Sequence, residues 1–173
     1  LLNFNQSFVD TVRRTGGQNA TRHLLIAGYG ADLDLTCDSE FHMPNDGANR
    51  CAVSIAYDRP TAFAGMNGSK QATWGNESEY SALTKDMEKL TQTFVSKGVP
   101  VVLTECGALT LERDGASVQA YTEAVTKEAL AQGICPVLWD NGAFFNRNTL
   151  GFNAPELLAR LQLLMPKRPV VET

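Results

Sequence analysis

The segment that most constrains the fold is Pro100-Val-Val-Leu-Thr-Glu-Cys-Gly-Ala108, an apolar and β-branched run that ends in a carboxylate and a glycine. Such a run between turn signals is typical of a strand buried on both faces, as in a parallel sheet. A carboxylate at the C-terminal end of such a strand lies where (β/α) barrels hold their catalytic groups. Glu105 is therefore the first candidate catalytic residue. The alternative is that Glu105 only caps the strand or pairs with an arginine.

Helix and strand patterns alternate along the chain. Apolar side chains at positions 4, 8, 9 and 12 share one face of a predicted helix that ends at Gly16-Gly17. The later patterns predict strands at 24–28, 51–56, 99–105 and 134–139, and helices at 79–97, 117–132 and 155–164. This alternation predicts a parallel sheet with right-handed crossovers. The loop over 31–48 is long for a compact domain, and such loops are usually functional or mobile.

Length and charge narrow the classes of protein. The 173 residues, with 43% hydrophobic residues and a formal net charge of −4, fit one domain, which we place at 1–165 with a frayed tail at 166–173. Without a basic excess, nucleic acid is not an expected partner. No apolar run approaches the roughly 18 residues of a membrane helix, so we expect no membrane association. We also expect no signal peptide within these residues.

The four cysteines, at positions 37, 51, 106 and 135, show neither CxxC nor zinc spacing. We expect no disulfide framework, no metal site and no other cofactor. Cys106 and Cys135 lie in or beside predicted strands, where buried thiols are common. Cys37, in a loop rich in Asp and Ser, is the one predicted exposed thiol. His23 and His42 match no catalytic pairing.

Several short sequence motifs follow one another along the chain. They are Asn3–Gly17, Arg22–Tyr29, Met43–Asp46 with Asn49-Arg50, Thr73–Gly75, Lys97–Val102 with Glu105, and Trp139–Gly142 followed by Phe145–Asn148. From Asn3 to about Leu163 they resemble glycoside hydrolase family 5, in its endo-β-1,4-glucanase branch. Members of the family are often secreted, but the sequence itself assigns no localisation to this chain.

The resemblance implies a fold. It matches Leu1–Arg14 to the helix after the fourth strand of a (β/α)8 barrel, and the four predicted strands to strands five to eight. A complete barrel takes roughly 250 residues, more than the 173 present here. The chain therefore looks like the C-terminal half of a TIM barrel, a (β/α)4 half-barrel with a parallel four-stranded sheet and outer helices.

The resemblance also implies that Glu105 is the nucleophile of a retaining glycosidase. Retaining hydrolysis uses two carboxylates roughly 5–5.5 Å apart. In the family the general acid/base comes from an Asn-Glu-Pro motif at the end of strand four, and these 173 residues contain no Asn-Glu-Pro. We therefore expect hydrolysis of β-1,4-glucans by this chain alone to be absent or weak.

The second predicted strand departs from the family pattern. The family's sixth strand usually ends in a His-x-Tyr pair, followed shortly by an aromatic residue. Here Ala56 stands at the His position, Asp58 at the Tyr position and Thr61 where the aromatic residue often lies. Natural drift or deliberate redesign would explain the changes. We favour redesign, because the changes coincide with a chain that opens at a unit boundary.

Asp58 has several interpretations. Its strand neighbours that of Glu105, so the two carboxylates can face one pocket as a makeshift acid/base pair or as ligands of a hard cation. The interpretation favoured by the sequence is simpler: an ion pair of Asp58 with Arg59 or Arg50 in solvent.

Other residues are predicted to contact a β-glucan oligosaccharide. By the resemblance, Trp139 corresponds to the tryptophan of the family's Trp-Asp-Asn-Gly motif, whose ring packs against a sugar ring. Asn141, with Asp140, either contacts substrate or holds its loop by turn hydrogen bonds. Tyr29 ends the first strand and is expected at the rim. Trp74 either shapes the edge of the site or anchors its loop.

The sheet edges predict association. A four-stranded parallel sheet leaves its first and last strands unpaired, and two halves closed into one barrel remove these edges. We therefore expect a two-fold homodimer or pairing with a complementary half-barrel. In the homodimer the two Glu105 residues lie four strands apart, whereas three strands separate the family's acid and nucleophile.

Two function classes follow, a glucanase-derived enzyme fragment or a non-catalytic assembly module. A carbohydrate-binding module is less favoured because few aromatic platforms are present.

Overall fold

In a computed structural model of the protein, residues 2–65 and 71–166 are described. Four strands form one parallel sheet in the order β1-β2-β3-β4: β1 (Leu24–Ala27), β2 (Cys51–Tyr57), β3 (Val101–Cys106) and β4 (Cys135–Leu138). The α-helices are α1 (Leu2–Arg14), α2 (Leu33–Thr36), α3 (Glu77–Thr93), α4 (Gly115–Ala131) and α5 (Pro155–Leu164). The predicted four-stranded parallel sheet is thus confirmed.

Shorter elements join these units. Three 3₁₀ turns lie at Gly17–Ala20, Tyr29–Ala31 and Val95–Lys97. A small antiparallel pair, β5 (Phe145–Asn146) and β6 (Gly151–Phe152), follows the last strand of the main sheet. The sequence patterns did not predict this hairpin or α2 within the loop over 31–48.

Local signals in the sequence set the helix ends. The Asn76 side chain accepts from the Glu79 N–H, and the Glu79 carboxylate accepts from the Asn76 N–H, which forms a capping box at the start of α3. Asp114 caps α4 by accepting from the Ser117 N–H at 2.8 Å. Pro155 opens α5 at a position that needs no hydrogen bond from its nitrogen.

The two faces of the sheet differ. On one face, alternate residues of β2 and β3 are buried against α3, α4 and α5; they are Val53, Ile55, Tyr57, Val101, Leu103 and Cys106. The opposite face carries Leu25 and Val137, which are 49% and 44% exposed. In β3, Val102 and Thr104 on this face are half-buried and Glu105 is exposed. The expectation that β3 is buried on both faces was therefore wrong, since the described helices cover only one side of the sheet.

Helix α1 is held on β1 by few apolar contacts. Val9 packs in a separate small cluster with Leu24 and Ile26. Phe4 and Phe8, predicted on the buried face of the helix, are 83% and 45% exposed. That prediction was wrong for these two residues, because nothing in the described chain lies beyond β1 to cover them.

Polar contacts complete the attachment of α1. The Arg13 guanidinium donates to both carboxylate oxygens of Asp46, each at 2.8 Å. Asp46 also accepts from the N–H groups of Ala48 and Arg50, and its side chain is only 3% exposed. The hydrogen bonds from Arg13 hold the pKa of Asp46 well below its ordinary value. This pair fixes the loop before β2 to the end of α1.

Several boundaries and burial predictions need correction. The helix predicted over 79–97 ends at Thr93, because Phe94 leaves helical geometry and turns into the core against Phe41. Cys135 is exposed on the edge strand β4, so its predicted burial was wrong. Cys37 is partly buried, and burial raises its thiol pKa, so its predicted exposure was wrong. The predicted tail at 166–173 lies outside the described residues apart from Pro166.

Candidate active site

A cavity of about 200 Å³ lies at the C-terminal ends of β2, β3 and β4, on the open side of the sheet. Its lining residues are Ala56, Tyr57, Asp58, Ala64, Glu105, Gly107, Leu109 and Trp139. Three of the residues singled out in the sequence, Glu105, Asp58 and Trp139, are therefore brought together here. The C-terminal end of parallel strands is where (β/α) barrels place their chemistry.

A β-bulge places Glu105 in this cavity. Ile55 of β2 pairs with Leu103, but Ala56 pairs with Glu105, so Thr104 is the extra residue in β3. In a regular strand Glu105 would share the helix-facing side with Leu103, because side chains alternate. The extra residue reverses this alternation and turns Glu105 to the open side, while Cys106 is buried in the core.

Side-chain hydrogen bonds hold the bulge. The Thr104 hydroxyl lies 2.9 Å from the Ser54 hydroxyl and donates to the Ile55 carbonyl at 3.3 Å. The sequence shows no signal for this arrangement, because it depends on how two distant strands pair. Thr104 and Ser54 are thus positioning residues for Glu105 that the sequence motifs did not identify.

The backbone after β3 brings Trp139 close to Glu105. Gly107 has φ of 155°, and a Cβ at this position would lie 3.3 Å from the carbonyl oxygen of Trp139. The Trp139 N–H donates to the Cys106 carbonyl at 2.8 Å. Glycine directly after the strand therefore permits the close approach that places an aromatic plane and a carboxylate in one cavity.

The loop after Trp139 is organised by Asp140. Its carboxylate accepts from the N–H groups of Gly142, Phe144 and Phe145. Burial opposes the charged form, but these three hydrogen bonds outweigh it and lower the pKa of Asp140. Asn141 is exposed, accepts from the Ala143 N–H at 3.3 Å, and does not line the cavity. Asp140 and Asn141 thus both make turn hydrogen bonds that hold their loop.

Asp58 is exposed at the rim of the cavity. Its neighbour Arg59 contacts other carboxylates, those of Asp34 at 2.8 Å, Asp32 at 3.3 Å and Asp86 at 3.6 Å. Arg50 lies beside His23, 3.3 Å from its ring nitrogen. The ion pair of Asp58 with Arg59 or Arg50, which the sequence favoured, is not formed.

A polar network behind the cavity fixes the end of β2. The Tyr57 hydroxyl donates to Asp86 of α3 at 3.1 Å, and Tyr57 is almost fully buried. Burial raises the pKa of both Tyr57 and Asp86. Tyr121 of α4 donates to the Arg59 carbonyl at 2.9 Å. These bonds anchor the residues on either side of Asp58 to two helices, and the sequence motifs gave no indication of them.

Trp74 and Tyr29 lie away from the cavity. Trp74 is 7% exposed and packs edge-on against Tyr121, with a further ring contact to Tyr80. Tyr29 is 71% exposed in the 3₁₀ turn after β1. The geometry of Trp74 matches the loop-anchoring interpretation, and neither residue contributes to the lining around Glu105.

In residues 2–65 and 71–166, no group of three or more His, Cys, Asp or Glu side chains is arranged to hold a metal ion. In the same residues, no helix combines the length and apolar character needed to cross a membrane.

Comparison with known proteins identifies the family. Residues 1–145 match the sequence profile of the family described as Cellulase (glycosyl hydrolase family 5). The chain belongs to glycosyl hydrolase family 5. The resemblance inferred from the ordered sequence motifs is thereby confirmed.

Two similar proteins are named endoglucanases. Endoglucanase B of Clostridium cellulovorans is 32% identical over 90% of this chain and 38% of its own length. Endoglucanase A of Paenibacillus barcinonensis is 34% identical over 83% of this chain and 44% of its own length. The chain thus spans less than half the length of these two relatives.

This chain also covers about half the length of solved structures of the family. A broad-specificity endoglucanase from an uncultured bovine rumen ciliate superposes with a TM-score of 0.87 at 34% identity, over 94% of this chain and 53% of that one. A variant lichenase from Caldicellulosiruptor, in complex with cellotetraose, gives 0.88 at 33% identity, over 95% and 48%. The four-stranded sheet corresponds to about half of these barrels, which confirms the half-barrel interpretation.

Proposed function

We propose that this chain supplies the nucleophile of a retaining β-1,4-glucanase site, with Glu105 attacking the anomeric carbon of a bound glucan. The observation that carries the proposal is the β3 bulge, which turns Glu105 into the same cavity as Trp139. Membership of the cellulase family and the endoglucanase names of the relatives support it.

Substrate contacts follow from the same geometry. The Trp139 ring offers an apolar plane on which the C–H face of a sugar ring packs. Tyr29 and Asn141 are proposed to contact sugar units beyond the cavity, since both are exposed. The cellotetraose complex of the related lichenase supports a cello-oligosaccharide as ligand. Trp74 is proposed to act through the loop that it anchors.

The proposed hydrolysis by this chain alone is slow. An Asn-Glu-Pro acid/base is absent from the 173 residues, and general acid/base catalysis is typically worth about 10²–10⁴-fold. Aryl glycosides with good leaving groups need less protonation, so residual turnover is expected with them. That Ala56, Asp58 and Thr61 arose by redesign stays a prediction.

Covalent trapping tests the nucleophile without requiring an acid. The chain is incubated with 2,4-dinitrophenyl 2-deoxy-2-fluoro-β-cellobioside, whose leaving group departs unprotonated, and digested for mass spectrometry. We expect the fluorocellobiosyl group on the peptide that contains Glu105, and no label in Glu105→Gln. Glu88→Gln is the matched control, because Glu88 is exposed on α3, away from the cavity. A label on another residue, or none, contradicts the proposal.

A second candidate function is a non-catalytic assembly module, favoured by the open side of the sheet. Large apolar side chains are exposed on both edge strands and their flanking helices; they are Phe4, Phe8, Leu25, Val137 and Leu163. Unpaired edges and apolar surface promote association with another sheet. We propose that β1 and β4 pair with a second copy of this chain or with a complementary half-barrel.

Light scattering with and without the complementary half tests this association. The parent chain and Glu105→Gln are expected to dimerise, because Glu105 lies at the rim and not on an edge strand. Leu25→Lys and Val137→Lys are expected to give monomers or unfolded chains, since a buried lysine without a partner is costly. A monomeric parent that the complementary half leaves unchanged contradicts the assembly proposal. A dimer that takes no label on Glu105 favours the module over the enzyme fragment.

A further inference from the structure

A second carboxylate shares the cavity of Glu105. Asp58 lies two residues beyond Ala56, and Ala56 is the direct partner of Glu105 across β2 and β3. Asp58 is the first residue after β2, which ends at Tyr57. Both residues line the cavity together with Ala56, whose side chain is only a methyl group. A glycosidic bond held in this cavity would therefore lie beside two carboxyl groups.

The surroundings of Asp58 leave its carboxyl group available. Within the described chain, Asp58 has no hydrogen bond or ion pair. The two nearby phenols have other acceptors: Tyr57 donates to Asp86, and Tyr121 donates to the Arg59 carbonyl. Among the described residues no group therefore competes with a ligand in the cavity for the exposed Asp58 carboxyl group.

We propose that Asp58 is the proton donor and acceptor that accompanies Glu105, a role that rests on the proposed nucleophilic function of Glu105. In the first step a Glu105 oxygen bonds to C1, the glycosidic C1–O bond breaks, and the leaving oxygen takes the electron pair and the Asp58 proton. In the second step a water loses its proton to the Asp58 carboxylate and bonds to C1, and the Glu105 ester bond breaks. Both carboxyl groups return to their starting states.

The dependence on the leaving group distinguishes an acid from a merely structural residue. The 173-residue chain and its Asp58→Asn variant are assayed on phenyl β-cellobioside, which needs a proton donor, and on 2,4-dinitrophenyl β-cellobioside, which does not. We expect kcat/KM to fall about 100-fold or more on the phenyl glycoside and less than about tenfold on the dinitrophenyl glycoside. Glu88→Gln, which removes the same charge on α3, should change neither value.

Chemical rescue tests the second step. In Asp58→Ala, azide attacks the glycosyl-enzyme without needing a base. We expect azide to raise kcat on the dinitrophenyl glycoside about tenfold or more and to yield β-cellobiosyl azide. The parent chain should show neither effect.

Two outcomes separate this proposal from the one on which it rests. If fluorocellobioside labels Glu105 in the Asp58→Asn variant, yet both glycosides lose activity equally or neither does, Asp58 is not the acid and Glu105 stays the nucleophile. If the parent chain takes no label on Glu105, the nucleophile assignment fails and the Asp58 proposal fails with it. Labelling of the variant also shows that its site is folded.

Discussion

The helix-facing side of the sheet has two cores that are stabilised in different ways. The larger one joins β2 and β3 to α3, α4 and α5 through more than twenty buried side chains. Among the described residues, the smaller one, under α1, has three buried members, Val9, Leu24 and Ile26. Apolar burial contributes about 25 cal/mol per Å², so the smaller cluster stabilises α1 far less. The Arg13–Asp46 pair and hydrogen bonds from Asn5 and Gln6 supplement it.

The candidate active site belongs to the larger unit. Every lining residue of the cavity lies on β2, β3 or the segments that follow β2, β3 and β4. Loosening α1 should therefore leave the positions of Asp58, Glu105 and Trp139 unchanged, whereas damage to the larger core should remove them. The following predictions test this difference, from the largest expected effect to the smallest.

The largest effect is expected from Leu103→Ala. Leu103 is fully buried in the larger core, and Leu-to-Ala substitutions at such sites cost about 2–5 kcal/mol. Leu25→Ala is the matched control, because Leu25 is 49% exposed on the open face and should cost less than about 1 kcal/mol. Urea unfolding measures both values. Equal losses would mean that the open face is covered, for example by a second copy.

Asp46→Asn should weaken α1 selectively. The substitution keeps the shape of the side chain but replaces one of the two carboxylate oxygens that accept from Arg13 and removes the negative charge. We expect the free energy of unfolding to fall by about 3 kcal/mol. Hydrogen exchange should accelerate in α1 and remain unchanged in α4, and labelling of Glu105 should persist. Asp38→Asn is the control, since Asp38 is exposed and accepts only from the Glu40 N–H. Uniform acceleration in both helices would show that the two cores unfold together.

Elements with local signals could be predicted from the sequence, and features set by distant pairing could not. The helix over 155–164 was placed at its observed bounds because Pro155 marks its start. The bulge at Thr104 depends on pairing with β2, almost fifty residues away, and no local pattern encodes it. Likewise, Asp46 looks like an ordinary turn residue until the fold brings Arg13 to it.

The candidate site divides in the same way. Glu105 and Trp139 were identified because each directly follows or ends an apolar strand run, and parallel strands bring such ends together. The ion pair predicted for Asp58 failed because Asp32 and Asp34 of another segment compete for Arg59. Adjacency in sequence was a poor guide to partners where several carboxylates surround one cation.

Acid should reproduce the effect of Asp46→Asn. The folded-state pKa of Asp46 lies below its unfolded value, near 4, mainly because Arg13 donates to it. Its contribution to stability is therefore complete above about pH 5 and is lost as pH falls through the unfolded pKa towards the folded one. Between about pH 5 and pH 3 the parent should lose about 1 kcal/mol more than Asp46→Asn does. If the parent and Asp46→Asn lose the same stability over this pH range, Asp46 is not the source of the acid sensitivity.

The smallest effect is expected from Asn76→Ala, which removes the cap of α3 and costs about 1 kcal/mol. Because α3 packs into the larger core through Leu83, Met87 and Leu90, the loss should shift the global unfolding transition and not only fray the helix end. Ser81→Ala is the control, since Ser81 is exposed in the same helix and should leave stability within about 0.5 kcal/mol. If Asn76→Ala raises hydrogen exchange only in the first turn of α3 and leaves the urea midpoint unchanged, then α3 opens independently, and the larger core is not the single cooperative unit that its packing indicates.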